Sequence, residues 1–212
     1  MSTRIGLISD IHATPAPLER ALAIFARESI ETILCAGDIA GYGPDLEASV
    51  ELLIGHNCRT IAGNHDLWYL DHFEDEQPGP AEVYLRTLPV VDRLSIAGKE
   101  ICLVHGSPPD SVMLGIKLRD EHGALLEAQK IVWAEQLTAF PADVLIVGHT
   151  HQVFAERLAD TLVINPGSTR FNQTCAILTL PELEVEIISL TGDPPALAWN
   201  WGMEIPEEMK KR

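Results

Sequence analysis

The chain has 212 residues, enough for one sizeable hydrophobic core and short for two ordinary domains. Its apolar share of 46% and charged share of 22% are those of a globular protein. The 31 Asp and Glu against 15 Lys and Arg give a net charge of −16, which argues against a general nucleic-acid or anionic-membrane binder, since both need a basic face. The opening MSTRIGLISDIH does not read as a signal peptide, and no stretch approaches the ~20 apolar residues of a membrane span, so a cytoplasmic protein is expected. None of the four cysteines forms a CxxC pair. Cys35, Cys102 and Cys175 sit in apolar runs and read as buried, reduced thiols.

In chain order, a strand is predicted over Arg4–Ser9, a helix over Pro17–Glu28 and a strand over Thr32–Ala36. A helix over Leu46–Ile54 and strands at Arg59–Ala62 and Glu100–Val104 follow. Then come a helix over Glu121–Leu137 and strands at Asp143–Val147, Thr161–Ile164, Thr174–Leu180 and Leu183–Leu190. Strand and helix alternate through the first two thirds, which argues for α/β architecture. The last third reads as strands only, with a hairpin turning at Pro181–Glu182. We read residues 1–212 as one domain with an irregular C-terminal tail from about 191. That tail carries Pro194, Pro195 and Pro206, and Trp199 and Trp201 would pin it to the body.

Metal-capable side chains follow directly after the strand-like runs. Asp10 and His12 follow RIGLIS, Asp38 follows TILCAG, Asn64, His65 and Asp66 follow TIAG, His105 follows ICLV, and His149 and His151 follow VLIVG. In open α/β sheets, sites form beyond the carboxyl ends of strands, so five such loops would gather these groups at one edge. Asp10, His12, Asp38, Asn64, His105, His149 and His151 make two carboxylates, one amide and four imidazoles. This oxygen and nitrogen set suits Mn²⁺, Fe, Zn²⁺, Ni²⁺ or Co²⁺ and lacks soft thiolates. Seven ligands exceed the need of one tetrahedral ion, whereas two ions sharing a carboxylate would use them all. Two divalent ions outweigh two carboxylates even with a hydroxide between them, leaving a local positive spot for a phosphoryl oxygen.

The ordered set DIH, GD, GNHD, HG and GHTH resembles the calcineurin-like metallophosphoesterases over positions 10–151, and the likeness extends to NPGS at Asn165–Ser168. It is nearest to the small single-domain bacterial and archaeal phosphodiesterases. GDIAGYGPD at Gly37–Asp45 is similar to a branch that includes proposed dinucleoside polyphosphate hydrolases. The resemblance implies a four-layer α/β/β/α sandwich and two metal ions, Mn foremost, with Fe, Zn, Ni or Co as alternatives. It implies that Asp10, His12, Asp38 and His151 hold one ion, and that Asp38 bridges to a second held by Asn64, His105 and His149. His65 resembles the general acid that protonates the leaving-group oxygen, with Asp66 either orienting it or serving as a helix-start acid.

The implied activity is hydrolysis of a small phosphodiester or nucleotide-type phosphate ester, without long nucleic acid or membrane as partner. The alternatives are a protein phosphatase or a non-catalytic scaffold of the same fold. Related protein phosphatases carry an Arg shortly after the second Asp motif; this chain has none there. The intact ligand set weighs against a scaffold. Tyr42 is a candidate for stacking on a substrate ring and Arg170 for reaching phosphate, each against a plain structural role. The segment Ser107–Pro141 reads as either a wall over the metals or a peripheral helix. His56, His72 and His122 match no motif and read as ordinary polar histidines.

Overall fold

The computed structural model describes residues 2–73 and 77–199. The alternation of the first strand, β1 (Thr3–Ile8), sets the layers. Ile5 and Leu7 point into a core between two sheets, while Ile8 points the other way, into a core shared with helices. Gly6 is required for that second packing, because a Cβ there would lie 2.8 Å from the Phe25 ring. Phe25 belongs to α1 (Pro15–Arg27), whose prolines at the first turn fit a helix start and whose buried face is Leu18, Ala21, Leu22 and Phe25.

The chain then builds β2 (Thr32–Cys35), α2 (Leu46–Gly55), β3 (Arg59–Thr60), α3 (Asn64–Asp71) and α4 (Pro80–Leu85). It continues with β4 (Val91–Ile96), β5 (Lys99–Val104), α5 (Glu127–Gln136) and β6 (Val144–Ile146). It closes with β7 (Val153–Leu158), β8 (Thr161–Pro166), β9 (Thr174–Leu180) and β10 (Glu184–Ser189). One sheet has the order β10-β9-β1-β2-β3 and the other β4-β5-β6-β8-β7. Strands β1, β2 and β3 run parallel, as do β5, β6 and β8. The edge pairs β4 with β5 and β7 with β8, and the β9–β10 hairpin, are antiparallel.

Three cores hold these layers. Ile5, Leu7, Leu34 and Leu178 of one sheet meet Ile101, Leu103, Val144 and Ile164 of the other in the central core. The helices α1, α2 and α4 cover the outer face of the first sheet through Leu22, Leu53 and Leu85. On the outer face of the second, Leu145, Val147 and Phe154 pack with Ile116, Leu118 and Trp133. This is the four-layer α/β/β/α sandwich.

Five elements differ from or were absent in the sequence expectation. Strands β4 and β7 are edge strands, half polar in sequence (VDRLSI, VFAERL), and so lack the apolar runs that mark the central strands. The short helix α3 starts within GNHD, whose polar residues are committed to the site, and α4 is only six residues long. The helix expected over Glu121–Leu137 begins later, at Glu127. Before it, Asp120 Oδ1 accepts from His122 N and Ala124 N, a local turn that competes with helix. The tail is irregular to residue 199 apart from a bridge between Gln152 and Ala198, while Trp201 and Pro206 lie outside the described residues. No helix among those described is long and apolar enough to cross a membrane.

Candidate metal centre

The loops after β1, β2, β3, β5 and β6 lie side by side because their strands do. Backbone bonds lace them: Asp10 N donates to Gly37 O at 2.9 Å, His12 N to Asp38 O at 2.9 Å, and Gly148 N to His105 O at 2.8 Å. Within them Asp10, His12, Asp38, His149 and His151 all have φ between 49° and 64°. That left-handed backbone costs a non-glycine residue about 1–2 kcal/mol, and it is held here by the lacing on both sides.

The side chains converge as two adjacent groups. In the first, His151 Nε2 lies 3.3 Å from Asp10 Oδ1 and 3.1 Å from His12 Nε2. In the second, His105 Nε2 lies 3.3 Å from Asp38 Oδ2, and Asn64 Oδ1 lies 3.2 Å from His105 Nε2 and 2.8 Å from His149 Nδ1. Asp38 also sits 4.0 Å from His12 Nε2, between the groups. His12 Nδ1 donates to Ala40 O and His105 Nδ1 to Ala36 O, which turns the Nε2 lone pair of each ring into the cluster.

Lone pairs facing one another are unfavourable unless a cation lies among them, and Asp10 Oδ2 is buried with no hydrogen-bond partner. The donor set therefore fits metal ions. The Asn64 amide can face the ring nitrogens either way: with a cation among them the oxygen would face inward. Turned over, the amide nitrogen would donate to His149 Nδ1 and His105 Nε2.

Electrostatics agree. Burial holds the His12 imidazole down to about 3, so it is neutral and able to ligate. Burial also lowers His149 and His65. For His105 burial acts downward, but the Asp38 and Asp10 carboxylates outweigh it and push the ring up to about 9, so without a cation beside them the ring keeps a proton that a metal ion would displace. For Asp10, burial works upward and the imidazoles of His151, His105 and His12 overcome it, so the carboxyl is held well below its ordinary range.

Asp66 is fully buried, and its carboxylate accepts from Asp38 N, Ile39 N, Ala40 N and Gly63 N at 2.8–3.0 Å. It ties the start of α3 to the Asp38 loop and spends its oxygens on backbone rather than on the His65 ring. His65 is half-buried, its N–H donates to Asp38 Oδ1 at 2.8 Å, and its ring lies 4.9 Å from His12 and 4.6 Å from Tyr42. Gly41 at φ +94° leaves room for it, since a Cβ there would stand 2.6 Å from His65 Nδ1.

A cleft of about 400 Å³ opens over these groups, lined by Asp38, Tyr42, Asn64, His65, His149 and His151. Arg170 is not among the lining residues. Its Nη1 donates to His12 O at 3.1 Å and Thr14 Oγ1 at 2.7 Å, bracing the loop that carries the His12 side chain. Among the described residues, Lys117 and Arg119 line the cleft together with Asp120 and Glu121, none of which the sequence singled out. They come from the first part of Ser107–Pro141, which forms a wall, whereas α5 of the same segment packs away against β7. Gln152 fixes the wall by accepting from Leu118 N and Arg119 N and donating to Arg119 O. His56 and His72 cap the ends of α2 and α3 through backbone carbonyls, and His122 is exposed.

The NPGS turn lies behind the ligands. Asn165 Nδ2 donates to Gly148 O and Thr150 Oγ1, and Ser168 Oγ donates to Asp10 O at 2.6 Å. The motif thus joins the loop of Asp10 to the loop of His149 and His151.

A dinuclear cluster of His, Asp and Asn ligands on an α/β/β/α sandwich, open to a cleft, defines a metal-dependent phosphoesterase acting on a small phosphate ester. Residues 3–186 match the model of the calcineurin-like phosphoesterase superfamily domain, and the chain belongs to that family. It is 30% identical to a probable metallophosphoesterase of Methanothermobacter thermautotrophicus over 93% of this chain and 98% of that one. It is 24% identical to a phosphodiesterase of Methanocaldococcus jannaschii over 83% and 87% of the two chains. A hypothetical protein of Pyrococcus horikoshii shares the fold, with a TM-score of 0.70 at 22% identity over 88% of this chain and 87% of that one.

Proposed function

We propose that the enzyme hydrolyses a small phosphodiester or nucleotide-type ester in the cytoplasm, with two divalent ions, Mn foremost. The observation that carries this is the convergence of oxygen- and nitrogen-donor side chains in two adjacent groups, Asp10 with His12 and His151, and Asp38 with His105, His149 and Asn64, beneath an open cleft. Asp10, His12, Asp38 and His151 would hold one ion, and Asp38, Asn64, His105 and His149 the other. When bound, such ions supply a nucleophile at neutral pH and positive charge for the phosphoryl oxygens. The chain's own part is to hold that charge in a fixed place. Asp66 and Ser168 fix the ligand loops through backbone bonds, and the half-buried His65 beside Asp38 delivers a proton to the leaving-group oxygen. At the cleft wall Lys117 and Arg119 stand beside Asp120 and Glu121, so the positive charge that draws a phosphate ester would come from the metal ions.

The kinship with a phosphodiesterase supports the ester class. The absence of an Arg after Asp38 speaks against phosphoprotein substrates, and the complete ligand set against a scaffold role. A net charge of −16 repels an extended polyanion. The test is to strip the protein with chelator and reload it with Mn, Zn, Fe, Ni or Co in turn. Then kcat/KM is compared for a nitrophenyl phosphodiester, a dinucleoside polyphosphate and single-stranded DNA at low and moderate salt. The small esters are expected to turn over with metal and the DNA hardly at all. Efficient DNA cleavage that weakens steeply with salt would replace this reading with a nuclease, and no turnover with any metal would favour the scaffold.

A further inference from the structure

Aromatic rings run in an unbroken arc beside the ligands. Centroid to centroid, Trp68 lies 5.1 Å from His65, His65 4.6 Å from Tyr42, Tyr42 5.6 Å from Phe171, and Phe171 5.2 Å from Trp199. Phe171 is buried and forms the base of the arc, stacked on both His151 and Trp199 at interplanar angles of 27° and 30°. Tyr42, Trp68 and Trp199 line the cleft itself. Two of these rings remain in water, Tyr42 at 49% exposure and Trp68 at 45%. Ligating metal needs neither, and leaving such large rings exposed forgoes the stabilisation that burial would bring.

The placement of Trp199 is built rather than incidental. Residues 196–199 belong to neither sheet, yet their backbone is fastened at three points. Val153 N donates to Leu197 O at 2.8 Å, Trp199 N donates to His151 O at 3.0 Å, and Asn172 Nδ2 donates to Ala196 O at 2.7 Å. The strap thereby carries an indole from the far end of the chain to the edge of a cleft whose ligands begin at Asp10. A rim of flat rings beside a phosphate-binding centre matches one substrate chemistry well. A nucleotide ester offers a planar base that stacks on any aromatic face, joined by a short sugar to the phosphate. A cleft of about 400 Å³ lies within the size range of small-molecule sites.

We propose that Tyr42, Trp68 and Trp199 form a nucleoside subsite that selects phosphate esters carrying a flat base over esters carrying small alkyl groups. The proposal rests on the phosphoesterase reading for its catalytic consequence. It makes Trp68 and Trp199 specificity-determining residues, on elements that supply none of the seven ligands except Asn64.

The test uses two esters with one leaving group, thymidine 5′-p-nitrophenyl phosphate and methyl p-nitrophenyl phosphate, with the Mn-loaded full chain. The same protein is titrated calorimetrically with adenosine 5′-monophosphate and with inorganic phosphate. The wild type is expected to favour the thymidine ester and the nucleotide. In Trp68→Ala or Trp199→Leu the ratio of the two kcat/KM values should fall about tenfold, the scale of one stacked base, with a parallel fall in the nucleotide's advantage over phosphate. A ratio taken between substrates is insensitive to a general loss of folding or metal. Variants that lose both esters in parallel, at the wild-type ratio, would show that Trp68 only supports His65 and Trp199 only supports Phe171 against His151, and would overturn the subsite. If neither ester turns over but the nucleotide preference still depends on these rings, the subsite stands and the phosphoesterase reading fails.

Discussion

Asp38 reaches both ligand groups, with Oδ2 3.3 Å from His105 and 4.0 Å from His12, while Oδ1 accepts the His65 N–H. Its charge therefore acts on everything around it, and Asp38→Asn is expected to lower metal content more than Asp10→Asn or His151→Ala and to abolish turnover. Metal analysis of the three purified variants side by side checks this; two retained metals with near-normal turnover would refute the shared position. His65 differs in kind, since it is half-buried at the cleft wall and is proposed to give a proton rather than to ligate. His65→Ala should keep its metal and lose turnover by ~10²–10⁴-fold. The loss should shrink for nitrophenyl esters, whose leaving group hardly needs protonation. An equal loss for alkyl and nitrophenyl esters would point to phosphate positioning instead.

At the scale of elements, the site depends on turns more than on strands. The strands bring loop beginnings together, and the turns then aim the side chains through left-handed backbone. Ser168 shows how that aim is maintained. Its buried hydroxyl donates to Asp10 O and accepts from Phe171 N and Arg170 N, so one side chain joins the loop after β8 to the loop after β1. Ser168→Ala leaves a buried carbonyl without this donor and is expected to cost about 1–3 kcal/mol of stability. Metal affinity should fall with it, because Asp10 moves with its carbonyl. Urea unfolding and metal titration of the variant would show both effects; an unchanged midpoint and affinity would remove NPGS from the support of the site.

For the whole molecule, the metal ions belong to its stability as well as to its chemistry. Buried carboxylates and facing lone pairs are tolerated in the folded chain at a cost that cations relieve, and the unfolded chain gathers no such set. One ion at a hundredfold excess over its Kd stabilises by about 2.7 kcal/mol. For a chain of this length that corresponds to a rise in Tm of roughly 5–11 °C. Thermal melts of chelator-treated protein with and without Mn²⁺ measure it, and a Tm indifferent to metal would count against a site assembled by the fold.

Much of this protein is legible without its structure. The central strands β1, β2, β5, β6 and β9 are apolar on both faces because both are covered, and that continuous pattern survives in one dimension. The seven candidate ligands were singled out for a related reason: each follows a strand-like run, Asn64 after the short edge strand β3 and the others after central strands, and the chemistry needs oxygen and imidazole donors whatever surrounds them. The edge strands β4 and β7 and the helix α3 were not legible, since half-polar segments take their state from neighbours on one side only. The commitments of polar side chains also required tertiary structure. Arg170 could have faced phosphate and instead braces His12; Asp66 could have oriented His65 and instead holds four backbone amides. Lys117, Arg119 and Trp199 reach the cleft from segments with no motif. A metal ligand is constrained by its own chemistry, whereas the partner of an arginine or a tryptophan depends on which distant residues the fold brings within reach.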